Sequence, residues 1–456
     1  MAYGASEDNV RQPSVAASKA QMDLVRMLGV NAVRITSMWT PGQVAPDAGE
    51  ASVLSNVDQA AKLSGLEVYI QIFNPGSRTT PLIGKDQQDF AAYAAAIAKR
   101  FPSFTNFVIG NEPNLNRFWL PQFGPEGEDV AAQSFEVLLA TTYDALKQVS
   151  PSITVWGIGL SPRGEDKPGS IRPTHSPTQF LLDMGTTYRS SGRTAPIMDG
   201  LAIHPYEDNS SLPPTFAHPR TTSISIADYD KLVKILGQAF DGTGQAGSQL
   251  PLLYDEYGVE SQIPADRASL YTGTEPTTTK PVDEQTQGRY YADALTIAFC
   301  QPNVRGFFIF HTADERALDR WQSGLFYVDG SPKSSLPAVK AAVRAARGGT
   351  ITKCAGLQLT PLPKLTVPPT QPFQHPIPSV TLQCSLDCNY QVRLEKLPSH
   401  ATVAAVYGKA IAATPTRVQF KQRRLARAQY RFTARATAPV NIGPPGTAVS
   451  RAFTLG

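Results

Sequence analysis

The stretch "FVIGNEPN", Phe107 to Asn114, decides how the chain reads. Four apolar or small residues run straight into Asn111-Glu112-Pro113-Asn114, a cluster of turn formers around one carboxylate. A short apolar run bounded by turn residues is the pattern of a buried strand. A glutamate at its end either caps the next helix or faces whatever lies at the mouth of the sheet.

The same punctuation recurs along the chain. Strand-like runs fall at Ala2–Ala5, Ala32–Ser37, Glu67–Phe73, Phe107–Gly110, Thr154–Gly159, Gly200–His204, Pro251–Asp255 and Gly306–Phe310. Helix-period segments alternate with them, among them "DQQDFAAYAAAIAKRF", "AQSFEVLLATTYDALKQV", "ADYDKLVKILGQAF" and "EQTQGRYYADALTIAF". Eight strand–helix units predict an α/β fold, a closed (β/α)8 TIM barrel over residues 1–350, in preference to an open doubly wound sheet. The texture then changes. "LQLTPLPKLTVPPTQPFQHPIP" (Leu357 to Pro378) is proline-dense, so 351–378 is expected to be an extended linker. Short alternating runs such as "SVTLQCSL" and "QYRFTARAT" predict a small all-β, Ig-like sandwich over 379–456.

Composition sets bounds. An apolar content of 41% over 456 residues supports a large core. No run approaches the length of a membrane-spanning helix, and "MAYGASEDNV" carries no signal-peptide pattern. The net charge of +4 hides an asymmetry: from residue 351 onward there are 13 Lys/Arg against 2 Asp/Glu, so the body before it is acidic. The densest basic run, "KQRRLARAQYR" (Lys421 to Arg431), reads as a solvated strand face or as a patch for an anionic glycan or cell-envelope polymer. An even count of four cysteines, with no histidine pattern to complete a zinc site, points to two disulfides, Cys300–Cys354 and Cys384–Cys388. Secretion to the periplasm, cell surface or medium follows as an expectation.

In a parallel barrel, chemistry sits where strands end on the C-terminal face. The polar residues there include Glu7, Asp8, Trp39, Asn74, Asn111, Glu112, Ser161, His204, Tyr206, Glu256, His311 and Asp314. Glu112 and Glu256 stand out because each directly ends an apolar run, at strands four and seven. Facing carboxylates suit glycosidic bond cleavage: one donates a proton to the leaving oxygen, and the other attacks the anomeric carbon or activates water. Arg34 and Tyr206 are placed to hold Glu256 ionised. Strand alternation would point Asp255 away from Glu256.

Other signals carry less. "GTGQAG" (Gly242 to Gly247) has G-x-G-x-x-G spacing but precedes a strand, the wrong polarity for a pyrophosphate cradle. His175, His218, His375 and His400 lack ligand spacing and read as surface or loop histidines. No cofactor, metal or nucleic-acid partner is expected; the expected partner is a carbohydrate substrate.

"IGNEPN", "AIHPY", "LLYDEYG" and "GFFIFHT" together resemble clan A of the glycoside hydrolases, with families 39 and 5 nearest in look. The resemblance covers roughly residues 2–350. It implies a retaining (β/α)8 enzyme with Glu112 as acid/base, Glu256 as nucleophile and Asn111 on the sugar 2-hydroxyl, with His204, Tyr206 and Arg34 in support. Two departures stand out. Asp255 precedes the nucleophile where many relatives have Thr or Ser, and Phe310-His311 ends strand eight where many have Trp. Trp321, Trp39 or Trp119 would then supply the sugar-stacking face. A transglycosylase using the same covalent intermediate, or a non-catalytic carbohydrate-binding surface protein, are the alternatives.

Overall fold

The computed structural model describes residues 1–351, 354, 361–368, 378–385, 388–411, 414–421, 425–437 and 445–455. The chain divides into two compact units, Met1–Phe299 with Asn303–Ala355, and Cys300–Pro302 with Gly356–Gly456.

In the first unit eight parallel strands close into a barrel in chain order: β1 (Ala2–Ser6), β2 (Ala32–Met38), β3 (Glu67–Phe73), β4 (Asn106–Ile109), β5 (Thr154–Leu160), β6 (Gly200–Ile203), β7 (Leu252–Tyr257) and β8 (Val304–Phe310). Each expected strand is present. The helices between them are α1 (Val15–Met27), α2 (Ala48–Ser64), α3 (Gly84–Arg100), α4 (Val130–Val149), α5 (Pro177–Ser190), α6 (Tyr229–Phe240) and α7 (Glu284–Cys300), with α8 (Leu336–Arg347) last. Their starts follow from local chemistry. Asp129 Oδ1 accepts the Ala132 N–H at 2.7 Å to cap α4, and Ser176 caps α5 with Pro177 at its first position.

One buried apolar cluster takes a residue from every strand: Ala2, Ala32, Tyr69, Val108, Trp156, Ala202, Leu253 and Phe308. Alanines make room for the rings, and Tyr69 meets Phe308 edge-on at 4.8 Å. Gly4 has no alternative, because a Cβ there would lie 2.3 Å from the Phe308 ring. The barrel is therefore plugged beneath its mouth, and a ligand must sit on top.

The second unit is all-antiparallel. β9 (Pro363–Thr366), β10 (Ser379–Cys384) and β13 (Thr416–Gln419) make one sheet. β11 (Cys388–Lys396), β12 (Ala401–Ala410), β14 (Ala428–Thr437), β15 (Gly446–Val449) and β16 (Phe453–Leu455) make the other. Val380, Leu382, Val392, Leu394, Phe420 and Phe432 join both sheets in one apolar core, which is a β-sandwich. The expected linker is corrected at one point: Pro363–Thr366 pairs with β10 as a strand. Cys384 and Cys388 are bridged, Cys300 and Cys354 are also disulfide-bonded, and no cysteine is free. In the basic run, Arg431 Nε pairs with Glu395 at 3.0 Å, while residues 422–424 and His375 lie outside the described residues.

Candidate active site

Glu112 is presented by an unusual turn. Gly110 follows β4 at φ +99°, and a Cβ there would lie 2.6 Å from the Phe135 ring and 2.7 Å from the Ile158 carbonyl oxygen. Glu112 itself has φ 46°, in the left-handed region. For a residue with a side chain that conformation costs about 1–2 kcal/mol. A register shift in β5 between Ile158 and Leu160 leaves the Gly159 carbonyl to accept the Glu112 N–H at 2.7 Å. The turn is thus anchored by backbone, and the carboxylate lifts toward the barrel mouth. Its side-chain partner is His204, with Nδ1 3.1 Å from Oε1.

Glu256 is held differently. Arg34 Nη2 donates to Oε1, and the Tyr206 hydroxyl donates to Oε2 at 3.0 Å. Asp255 does not turn away as strand alternation predicts. Between Tyr254 and Tyr257, β7 spends three residues where β8 spends two, from Phe307 to Ile309. This bulge lets consecutive carboxylates reach the same cations. Asp255 Oδ2 lies 3.2 Å from Arg34 Nη1 and 3.4 Å from His204 Nε2, and its displaced carbonyl takes the Ser6 hydroxyl at 2.6 Å.

The buried cluster therefore sets Arg34 and His204 against Asp255, Glu256 and Glu112. Burial opposes charge on His204, but Glu256 and Asp255 outweigh it and push the imidazole up to about 10. Burial likewise opposes the Arg34 charge and is outweighed by the same two carboxylates. For Asp255 the balance runs the other way: burial disfavours its charge, and His204 and Arg34 hold it below the usual carboxylate range. Burial, reinforced by Glu256, pushes the Tyr206 phenol well above its ordinary range, so it stays a donor.

The sequence reading missed two members of this network. Gln71 links the two sides: its Oε1 accepts from Arg34 Nη1, and its Nε2 donates to the Gly110 carbonyl at 2.9 Å and to Asn111 Oδ1 at 3.1 Å. Ser6 accepts from Arg34 Nε at 2.7 Å. A glutamine inside the apolar run "EVYIQIF" was the available signal, because a polar side chain in a fully buried strand must find partners inside.

A cleft of about 740 Å³ opens over these groups, and Arg34, Asn111, Glu112, Tyr206, Glu256, Phe310, His311 and Trp321 all line it. Trp321 stacks on Tyr206 at 4.9 Å, and Phe310 meets Trp321 edge-on at 5.3 Å, so an aromatic wall stands beside Glu256. His311 is fixed by its Nδ1, which donates to the Ser6 carbonyl at 2.7 Å.

Other expectations are corrected. Trp39 does not line the cleft; it is fully buried, packs edge-on against Phe90 and donates to the Gln43 carbonyl at 2.8 Å. Asn74 is also outside it, tying down a loop through the Gly76 and Phe118 carbonyls at 2.8 and 3.0 Å. Trp119 is buried against Phe135. His175 and His218 are buried rather than superficial, whereas His400 is exposed.

Solved structures that share this closed eight-stranded barrel include glycoside hydrolases. A glucosidase from Croceicoccus marinus aligns over 91% of this chain and 92% of its own, at 12% identity and a TM-score of 0.50. An endo-beta-1,4-mannanase from Thermotoga petrophila aligns over 100% and 98%, at 10% identity and a TM-score of 0.45. Beta-glucuronidase 2 from Bacteroides uniformis aligns over 99% of this chain at 13% identity and a TM-score of 0.45, and this chain spans only 44% of that protein. No protein-family model and no curated protein sequence matches. Likeness at these identities describes the fold. Among the described residues no helix is long and apolar enough to cross a membrane.

Proposed function

We propose that the chain is a retaining glycoside hydrolase with Glu256 as nucleophile and Glu112 as acid/base. The observation that carries this reading is the shared histidine. His204 Nδ1 lies 3.1 Å from a Glu112 oxygen and 3.4 Å from a Glu256 oxygen, so those oxygens are no farther apart than the two distances end to end. That limit is reached only with the three atoms in line, so any bend at Nδ1 brings the oxygens below the ~6.5–9.5 Å of inverting pairs and toward the ~5–5.5 Å of retaining ones.

The unequal surroundings assign the roles. Glu256 receives donors on both oxygens, which aims it at the anomeric carbon. Glu112 has one side-chain partner, His204, and lines the cleft where the leaving oxygen would sit. Glu256 attacks the anomeric carbon as Glu112 protonates the departing oxygen, leaving a glycosyl ester on Glu256. Esterification removes the Glu256 charge, and Glu112, now deprotonated, takes a proton from the water that cleaves the ester. Asn111, braced by Gln71, is positioned for the sugar 2-hydroxyl, and Trp321 offers a stacking face. The oxidised cysteines support secretion to the cell surface, periplasm or medium.

The test is a panel of aryl glycosides and oligosaccharides, with NMR of the first-formed sugar. Retention of anomeric configuration supports the reading, and a first product of inverted configuration sinks it.

A further inference from the structure

A second cluster of charge shares no lining residue with the cleft. Asp129 caps α4, His175 stands at the end of the β5–α5 loop, and Asp183 lies on α5. One ligand-type atom from each lies within 4.8 Å of the others. Asp166 and Glu128 line the same pocket of about 500 Å³, and no Lys or Arg does.

Two buried atoms in this cluster lack partners. His175 Nε2 lies 2.9 Å from the Gln122 carbonyl oxygen, which can only accept. Nε2 therefore carries the hydrogen, and Nδ1 presents a lone pair. Nδ1 has no hydrogen-bond partner, on a side chain only 2% exposed. Asp129 Oδ1 takes the Ala132 N–H, whereas its Oδ2 is buried without a partner. Nε2 also lies 3.2 Å from Asp129 Oδ1, and the bare Nδ1 lies 4.0 Å from Asp166 Oδ1. A histidine whose one ring N–H is held by a carbonyl while the other nitrogen faces a carboxylate has the arrangement of a metal ligand.

We propose that Asp129, His175 and Asp183 form a structural divalent-cation site of mixed imidazole–carboxylate type, suited to Zn²⁺ or Mn²⁺. An imidazole nitrogen among oxygens favours these ions over Ca²⁺ or Mg²⁺, which take oxygen ligands. The site braces the turn that carries Glu112. The His175 N–H donates to the Asn114 carbonyl at 2.9 Å, Asn114 Nδ2 donates to the His175 carbonyl at 3.0 Å, and Gln122 Nε2 donates to the Pro113 carbonyl at 2.9 Å. A cation on His175 thus steadies Pro113-Asn114, the half of the turn that follows Glu112. Metal binding here does not depend on the glycosidase reading.

The full chain, stripped with a chelator, is titrated with ZnCl2, MnCl2 or CaCl2, then read by elemental mass spectrometry after gel filtration and by thermal melting. One equivalent of Zn²⁺ or Mn²⁺ per chain is expected, with Tm rising by about 4 °C at a hundredfold excess over Kd. Amide exchange across residues 111–115 slows in the loaded protein. Asp183→Asn, whose side chain otherwise meets Gln179 on its own helix, keeps the stripped-state Tm and loses the shift. No retained metal in the wild-type chain overturns the site, as does an equal shift in Asp183→Asn. Binding of Ca²⁺ alone overturns the mixed-donor assignment. Should Asp183→Asn fail to fold, the wild-type metal content decides.

Discussion

The two strand ends that carry glutamates are built by opposite means. At β4 the backbone does the work: a left-handed residue, a glycine with no room for a side chain, and a main-chain bond to Gly159. At β7 side chains do it: Arg34 and Tyr206 grip Glu256, and Asp255 completes a buried charge cluster. The difference teaches what each proposed role demands. A nucleophile must stay charged and aimed, so fixed donors suit it. A group that gives and retakes a proton is better positioned by the chain, with the single side-chain contact that His204 supplies, than by a full set of fixed donors.

The largest expected effect separates the two. Glu256→Gln should cut turnover by about 10⁵-fold on every glycoside, activated aryl leaving groups included. Glu112→Gln should cost about 10²–10⁴-fold on substrates with poor leaving groups. With a dinitrophenyl leaving group, which departs without protonation, the first step should be nearly restored and seen as a burst. Equal losses with both leaving groups would break the asymmetry.

Next comes the charge cluster. Arg34→Met leaves Asp255 and Glu256 with His204 as their one remaining cation, and breaking a buried pair this way costs about 3–5 kcal/mol; urea unfolding measures it. His204 adds a pH signature. Its folded pKa is raised, so its imidazolium stabilises fully below the unfolded value of about 6.5 and loses that contribution as pH rises through about 10. The Tm gap between wild type and His204→Gln should therefore be wide at pH 6 and close toward pH 10. A gap that widens with pH would mean the imidazole is buried neutral.

The smallest effects distinguish the tryptophans. Trp321→Ala should raise KM about 3–10-fold, the value of one lost stacking contact. Trp39→Phe should lower stability while leaving KM unchanged, since Trp39 packs under the loops. A KM effect from Trp39 and none from Trp321 would reverse the placement of the sugar-facing wall.

The strand ends were legible because apolar runs stopped by turn residues mark them whatever the tertiary context. Arg34, Tyr206 and Glu256 could be grouped from their strand positions alone. Asp255 could not, because alternation assumes an unbroken register and a bulge has no fixed signature in one sequence. Trp39 and Asn74 satisfied the same positional rule as true cleft residues, yet loop packing drew one into the core and the other onto backbone carbonyls. His175 looked isolated because its candidate co-ligands lie 46 residues before and 8 residues after it, and only the packing of α4, α5 and their loops brings them together.

The bulge in β7 also bears on how such a chain changes over generations. A deletion inside a strand is usually a shift that neighbouring residues absorb. Here the two residues between Tyr254 and Tyr257 are Asp255 and Glu256 themselves, so removing one would restore even pairing with β8 only by discarding a carboxylate. The barrel would still close and still present its aromatic wall. Under the proposed mechanism, loss of the Glu256 codon would leave a barrel that still holds a glycan but has no nucleophile to cut it.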